Sequence, residues 1–349
     1  MQHKESLEKI LGKHWGWHKS RLGFAACLVL SLIQQKTVNF VSLSLAFGSE
    51  AKATSSYRRI QRFFQGFEFS QQQLSQLILK LLPAPPYTVC LDRTNWQFGK
   101  FNINILMLSI AYQGIAFPIC WQLLAKKGNS NTKERKQLVT TFLNLVPLQD
   151  IDMLVADREF VGKDWFAYLT TMNIPFVIRI RQDALADGWF SLVCFFQTLP
   201  LGESKLLQHR YRIFGSQLAL CGVRLQADYL ILVTNRSPKQ ALALYKRRWQ
   251  IEMLFAAMKT TGFDLESSHL ACPQRMDKLL AFVCLAVTWA HSVGEWLHRT
   301  HLKPLRLKAH GRREKSFFRH GLDYLRSLLC NPLATLTDLL PCVNLLSCT

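Results

Sequence analysis

The sequence predicts an α/β protein in which a mixed sheet carries helices on its faces and a helical domain precedes the sheet. Residues 1–80 place apolar residues at helical spacing. From residue 87, strand-like and helical segments follow in the order β-β-β-α-β-α-β. Further strand-like runs between residues 182 and 226 indicate a β-rich insertion, and residues 227–300 return to the first pattern.

The N-terminal region is expected to be a helical domain over residues 1–80. Apolar residues recur at helical spacing in FAACLVLSLIQ and VNFVSLSLAF. The later helix YRRIQRFFQGF turns apolar residues inward and exposes Arg58, Arg59 and Arg62. A short helix, a turn and a basic helix are compatible with a helix-turn-helix that reads DNA. A basic amphipathic helix within a bundle explains the pattern equally well.

The core of the sheet is predicted in two parts, residues 85–181 and 227–300. YTVCLDRTNW, INILMLSIAY and IAFPICWQLLA are strand-like, and the QG between the last two suits a hairpin. An amphipathic helix, the strand DIDMLVADREF, the helix KDWFAYLTTM and the strand IPFVIRIR follow. This order is that of the ribonuclease H fold. The strand DYLILVTN and two helices complete the core.

The last helix of the core is apolar for nearly the length of a membrane span. Its run LLAFVCLAVTWAHSVGEWL, residues 279–297, includes His291 and Glu295, so we expect a buried core helix and no membrane contact. Residues 301–349 form a basic C-terminal region. The charged N-terminus lacks the pattern of a secretion signal, which predicts a soluble cytoplasmic protein.

The charge balance predicts a polyanionic partner. The chain carries 43 Lys and Arg against 23 Asp and Glu, a formal charge of +20. Such an excess favours nucleic acid, because basic side chains displace counterions from a phosphate backbone. A ribosome-like or merely soluble basic protein is the alternative. The ten cysteines are scattered without paired C-x-x-C motifs, which argues against a zinc ribbon or a disulfide scaffold.

Two aspartates are expected where apolar strands end, a place where charge is costly. These are Asp92 in LDRTNW and Asp157 in VADREF. In this strand order their strands are central neighbours, so the carboxylates would lie side by side and need a cation. Oxygen ligands suit Mg²⁺ or Mn²⁺, and two ions about 4 Å apart can hold the attacking and leaving oxygens of a phosphodiester. An aspartate at a strand end is also a common turn residue.

The segment YKRRWQIEMLFAAMK, residues 245–259, supplies a third acid. On a single helix of about 100° per residue, Tyr245, Arg248, Glu252 and Lys259 fall within about 60° of arc, beside an apolar flank. A surface ion pair between Arg248 and Glu252, worth about 0.3 kcal/mol, is the simpler explanation. The row of donors around one acid favours a metal site that holds DNA. Trp249 would either stack on a base or pack against the protein.

The spacing Y-x2-R-x3-E-x6-K of these four residues resembles the signature of transposases of the insertion-sequence 4 family. The resemblance covers residues 85–320 and includes KKGNSNTKER after the third strand. It implies a ribonuclease H-like core with a DDE triad, here Asp92, Asp157 and Glu252, and a β-stranded insertion before the third acid. The sequence departs from the family at Glu159, where the family often has a small residue.

The resemblance also implies cut-and-paste transposition. The triad would bind two Mg²⁺ or Mn²⁺ ions for strand cleavage and strand transfer, and Tyr245, Arg248 and Lys259 would hold phosphates. A homodimer would pair the terminal inverted repeats of double-stranded DNA in a cytoplasmic, nucleoid-associated complex. A nuclease that only hydrolyses, or a non-catalytic DNA-binding protein from a decayed element, are the alternatives. Further backbone contacts are expected from Arg158, Arg179, Arg181, Lys126 and Lys127.

Overall fold

The protein is described here by a computed structural model, which covers residues 2–47, 52–309 and 311–347. The helices are α1 (Gln2–His14), α2 (Lys19–Gln35), α3 (Phe40–Leu45), α4 (Ala53–Gly66), α5 (Gln71–Lys80), α6 (Thr132–Leu143), α7 (Lys163–Thr171), α8 (Ala241–Lys246), α9 (Trp249–Met258), α10 (Pro273–Arg299), α11 (Phe317–Cys330) and α12 (Leu336–Asn344). The strands are β1 (Tyr87–Phe98), β2 (Phe101–Tyr112), β3 (Ile115–Leu123), β4 (Ile151–Ala156), β5 (Phe176–Ile180), β6 (Leu185–Ala186), β7 (Phe190–Ser191), β8 (Ser204–Ile213), β9 (Ser216–Arg224) and β10 (Tyr229–Thr234).

Eight of these strands form one mixed sheet in the order β3-β2-β1-β4-β5-β10-β9-β8. β1 pairs antiparallel with β2 and parallel with β4, and β4 pairs parallel with β5. The half β3-β2-β1-β4-β5 has the order and directions of the ribonuclease H sheet, which confirms the predicted α/β fold. β10, β9 and β8 extend this sheet by antiparallel pairing. The predicted domain boundaries stay predictions.

Strands β2 and β3 are buried along most of their length, as their apolar sequences require. They are joined by a tight turn in which Gln113 and Gly114 have φ of 48° and 97°. Glycine adopts positive φ with little strain, whereas other residues do so rarely, so the QG pair correctly indicated a hairpin. Helices α5, α9 and α10 pack on β3, and α8 packs on β4 and β5. α9 is thereby held beside the central strands.

Helix α10 is the one described helix that is long and apolar enough to cross a membrane, but 83% of its most apolar stretch is buried within the protein. It packs against α11, α9 and the N-terminal helices α2, α4 and α5. A Cβ on Gly294 would lie 1.9 Å from the carbonyl oxygen of Phe317, so only glycine permits this approach of α10 to α11. The prediction of a buried core helix is confirmed.

Two predicted elements end elsewhere. β1 does not end at Asp92 but continues to Phe98, because its hairpin with β2 is paired as far as Phe98 and Phe101. What ends there is the pairing of β1 with β4, whose last pair is Leu91 and Ala156. The helix expected over residues 245–259 is divided into α8 and α9 by a turn at residues 247–248. Backbone bonds from residue i to i−3 tighten the chain at this turn.

Candidate active site

Asp92 and Asp157 each follow the last residue pair between two central parallel strands. Leu91 pairs with Ala156, and the next residue in each segment is an aspartate. The register of the sheet therefore places the two carboxylates next to each other, as the strand order predicts. β1 is buried from Thr88 to Leu91 and becomes half-buried at Asp92, so the acid lies where the apolar core ends.

Burial raises the pKa of the Asp92 carboxyl to about 6. A hydrogen bond from the backbone N of Arg93, at 2.7 Å, and the charge of Arg248 oppose this rise. The negative charges of Asp157 and Glu252 add to it. The three acids are therefore close enough to interact electrostatically, although they come from β1, from the end of β4 and from α9.

Arg248 connects two of these acids. Its Nη1 donates to Oδ2 of Asp92 at 3.3 Å, and its Nη2 donates to Oε1 of Glu252 at 2.5 Å. The Arg248 side chain is only 13% exposed. Burial lowers the pKa of Arg248, but its interactions with Tyr245, Glu252 and Asp92 outweigh burial and raise it. Arg248 is therefore a fixed cation among the acids, and more than the surface ion pair that helical spacing allows.

Tyr245 reaches the remaining acid from α8. Its side chain is buried, and its hydroxyl donates to Oδ1 of Asp157 at 3.5 Å. Burial is the main cause that raises the Tyr245 pKa to about 12, so the hydroxyl keeps its proton near neutral pH. The guanidinium of Arg248 lies over the Tyr245 ring, 5.6 Å from its centre. Tyr245, which was predicted to hold a phosphate, thus donates its hydroxyl hydrogen bond to the acid Asp157 in this structure.

Lys259 ties the end of α9 to β1. Its Nζ donates to the carbonyl oxygen of Asn95 at 3.2 Å, pairs with Glu266 at 2.9 Å and lies over the Trp96 ring. All four residues of the predicted helical row thus reach the neighbourhood of the acids, despite the break between α8 and α9. The row is assembled from two helices and the turn between them.

The remaining predicted DNA contacts are exposed or line surface clefts. Trp249 is 59% exposed, so a large part of its ring is accessible to a base, and its role stays a prediction. Arg58, Arg59 and Arg62 are exposed on α4, which packs on α3 and α10. Arg158, Arg179 and Arg181 line a cleft of about 530 Å³, and Lys126 and Lys127 line another of about 320 Å³.

Asp92, Asp157 and Glu252 offer only carboxylate oxygens, a donor set that fits a hard divalent cation such as Mg²⁺. Across residues 2–47, 52–309 and 311–347, no three His, Cys, Asp or Glu side chains are grouped closely enough to hold one metal ion. Arg248 supplies the positive charge between Asp92 and Glu252 in this arrangement. The carboxylate oxygens thus fit a divalent cation by their chemistry, and the Arg248 guanidinium lies next to Asp92 and Glu252.

Sequence reasoning missed an ion pair beside the cluster. Arg93 and Glu159, which follow Asp92 and Asp157 by one and two residues, pair at 3.0 Å. The signal was available as the charged residue directly after Asp92, together with the departure from the family at Glu159. Spacing alone did not connect a residue of β1 with one in the turn after β4.

Residues 83–289, more than half of the chain, match the family model described as "Transposase DDE domain". No curated protein matches the sequence. Among solved structures, the chain is similar to the cryo-EM structure of piggyBac transposase synaptic complex with hairpin DNA, at 12% sequence identity and a TM-score of 0.41. The match covers 75% of this chain and 58% of that chain, so this chain spans less than two thirds of it.

Proposed function

The chain belongs to the transposase DDE domain family, and from this premise we propose that it is the transposase of an insertion sequence. The family implies a phosphoryl-transfer enzyme that acts on DNA. We propose that the reaction is cut-and-paste transposition, with cleavage at the terminal inverted repeats and joining to target DNA. The observation that carries this proposal is the position of Asp92 and Asp157 directly after the last residue pair of β1 and β4, with Arg248 hydrogen-bonded to both Asp92 and Glu252.

The finer assignment is to the insertion-sequence 4 group. It is supported by the spacing of Tyr245, Arg248, Glu252 and Lys259. Around the acid Glu252, Tyr245 and Arg248 contact acids of the cluster and Lys259 contacts the strand that carries Asp92. The group assignment therefore depends on those contacts being required for the reaction.

Enzymes with a DDE domain generally use divalent metal ions. Asp92, Asp157 and Glu252 would hold two Mg²⁺ or Mn²⁺ ions, which when bound stabilise the attacking and leaving oxygens of the phosphodiester. Arg248 orients Asp92 and Glu252, and the hydroxyl of Tyr245 orients Asp157. These contacts hold the three carboxylates in place in the metal-free protein.

The DNA path is proposed from charge and exposure. Arg158 follows Asp157 directly and opens the cleft with Arg179 and Arg181, which suits a phosphate backbone. The exposed ring of Trp249, next to Arg248, suits stacking on an extruded base. The exposed arginines of α4 would contact the terminal inverted repeats. Two DNA ends cut in concert require two active sites, so we propose a homodimer on paired ends, in the nucleoid of the cytoplasm.

The test is an excision and joining assay on the DNA that flanks the gene. Short inverted repeats bracketed by a direct duplication should be present, and DNA bearing them should be cut and its 3′ ends joined to a target plasmid with Mn²⁺. Hydrolysis without joined products would identify a nuclease. Binding without cleavage would identify a DNA-binding protein. Mn²⁺-dependent cleavage by a Glu252→Ala variant at the wild-type rate would remove Glu252 from the proposed site.

A further inference from the structure

We propose that Glu159 is a positioning residue for the acidic cluster and that it acts through Arg93. Oε1 and Oε2 of Glu159 accept hydrogen bonds from Nε of Arg93 at 3.0 and 3.2 Å, and Oε2 accepts another from Nη2 at 3.0 Å. Arg93 directly follows Asp92, and Glu159 lies two residues after Asp157. The ion pair therefore joins the two chain segments that carry the first two acids. This role rests on the proposed function, in which both acids hold divalent cations.

The pair lies where the sheet stops holding these segments together. Backbone pairing between β1 and β4 ends at Leu91 and Ala156. After Asp157 the chain turns, and the backbone N of Phe160 donates to the carbonyl oxygen of Asp157 at 3.0 Å. β1 continues beside β2 instead. Arg93 and Glu159 lie two and three residues beyond the last backbone pair, so their ion pair joins the two segments where backbone pairing has ended.

Glu159 is placed as a counter-ion and has little capacity left to ligate metal. Besides its bonds with Arg93, its Oε1 accepts from the backbone N and from Oγ of Ser130 at 3.3 and 3.4 Å. A carboxylate has about four lone-pair sites, and these contacts fill them. The side chains of Arg93 and Glu159 are 12% and 18% exposed, so water competes little for the same sites.

The pair is itself held from two sides. Nη1 of Arg93 donates to Oδ1 of Asn104 on β2 at 3.1 Å. Nη2 of Arg135 on α6 donates to the carbonyl oxygen of Glu159 at 3.1 Å and to that of Ser130 at 2.6 Å. The ion pair is thus locked to β2, to α6 and to the loop before α6. Loss of Glu159 would leave the guanidinium of Arg93, which is 12% exposed, without its carboxylate partner.

Substitution of Glu159 should therefore weaken metal binding. Partners that orient metal ligands typically contribute about 10- to 100-fold to metal affinity or activity. We expect Glu159→Ala in the full chain to weaken Mn²⁺ binding about tenfold or more, measured by electron paramagnetic resonance of free Mn²⁺. The kcat for DNA cleavage should fall with it, whereas the KM for DNA should stay near that of the wild type, because Glu159 does not contact DNA in this proposal.

Two further variants make the test specific. Glu159→Gln keeps the shape of the side chain and an acceptor for Ser130 but lacks the charge, so its Mn²⁺ affinity should lie between those of the wild type and Glu159→Ala. Asp323→Ala removes the ion pairs of this α11 residue with Arg319 on the same helix and with Lys315, which precedes the helix. It controls for a general loss of stability and should lower the melting temperature without changing Mn²⁺ affinity.

Wild-type Mn²⁺ affinity and kcat in both Glu159 variants, whatever their melting temperatures, would overturn the positioning role. If Glu159→Ala does not fold, Glu159→Gln decides alone, and wild-type affinity in that variant would have the same meaning. A wild-type protein that binds no Mn²⁺ and cuts no DNA would overturn the proposed function, and the role of Glu159 with it. The two failures are therefore distinguishable.

Discussion

Arg248 donates to Asp92 through Nη1 and to Glu252 through Nη2, so one guanidinium holds an acid from the central strand against an acid from α9. Helical spacing alone allows only the pair with Glu252. The contact with Asp92 depends on the packing of α9 beside β1 and β3. Arg248 thus relieves the repulsion between two carboxylates in the absence of metal.

Arg248→Ala should make the metal-free protein less stable and more responsive to metal. Removing one partner of a mostly buried ion pair typically costs about 3 kcal/mol, and here two acids would lose their partner. We therefore expect a lower free energy of unfolding and a larger rise in melting temperature on adding Mn²⁺ than in the wild type. Arg179→Ala, which breaks the pair with Asp228, is the control. An equal Mn²⁺ response in wild type and Arg248→Ala would contradict this role.

Asp92→Asn should stabilise the metal-free protein at high pH. The pKa of Asp92 is about 6 in the folded protein, above the ordinary value of 3.8, so protonation of Asp92 stabilises the folded state. This stabilisation is complete below pH 3.8 and is lost as the pH rises through 6. The gain from asparagine should approach at most about 3 kcal/mol at pH 8 and vanish near pH 4. Urea unfolding across this range measures it. A gain that does not change with pH would show that ionisation of Asp92 is not its cause.

Much of the fold and the acids could be predicted because they rest on local patterns. Apolar runs of strand length gave the order of the sheet, and that order made Asp92 and Asp157 neighbours. The helical row led to Glu252. The turn between α8 and α9 could not be predicted. A few backbone hydrogen bonds from residue i to residue i−3 leave the helical spacing of apolar residues almost unchanged.

The contacts between the site residues could not be predicted from local sequence patterns. Tyr245 bonds Asp157 and Arg93 bonds Glu159, partners that are 88 and 66 residues apart. Such pairs are set by how β1, α8 and the segment after β4 pack together, which local sequence patterns do not determine. The continuation of β1 past Asp92 also depends on a partner, because pairing with β2 stabilises the strand in a polar stretch that shows no strand pattern of its own.

Trp249→Ala should weaken binding to DNA with an unpaired base near the cleavage site by about tenfold, because stacking contributes about 1–3 kcal/mol per base. The melting temperature should not change, since the ring is 59% exposed. Fluorescence of a 2-aminopurine at that base would report the stacking. Trp189→Ala, at an 83% exposed ring, is the matched control. An equal loss of DNA affinity from both substitutions would indicate nonspecific contact of exposed aromatic side chains with DNA and would contradict a specific role of Trp249.

The double substitution Arg58→Ala and Arg62→Ala on α4 should reduce the salt dependence of DNA binding. Each lost phosphate contact lowers the slope of log K against log salt by about 0.9, so about 2 is expected for both. Titrations at several salt concentrations measure the slope. Gln61→Ala with Gln65→Ala, exposed on the same helix, should leave it unchanged. An unchanged slope in the arginine variant would place the DNA elsewhere.

The most direct measurement is Mn²⁺-dependent cleavage of linear DNA that carries the flanking ends of the gene. Wild type is compared with Asp92→Asn, Asp157→Asn and Glu252→Gln, and with Asp164→Asn, an exposed acid in the first turn of α7, as control. Each of the three should lower the rate by about a thousandfold, because each would remove a metal ligand, whereas the control should cleave like the wild type. Wild-type cleavage by any one of the three would contradict the assignment of the acidic triad.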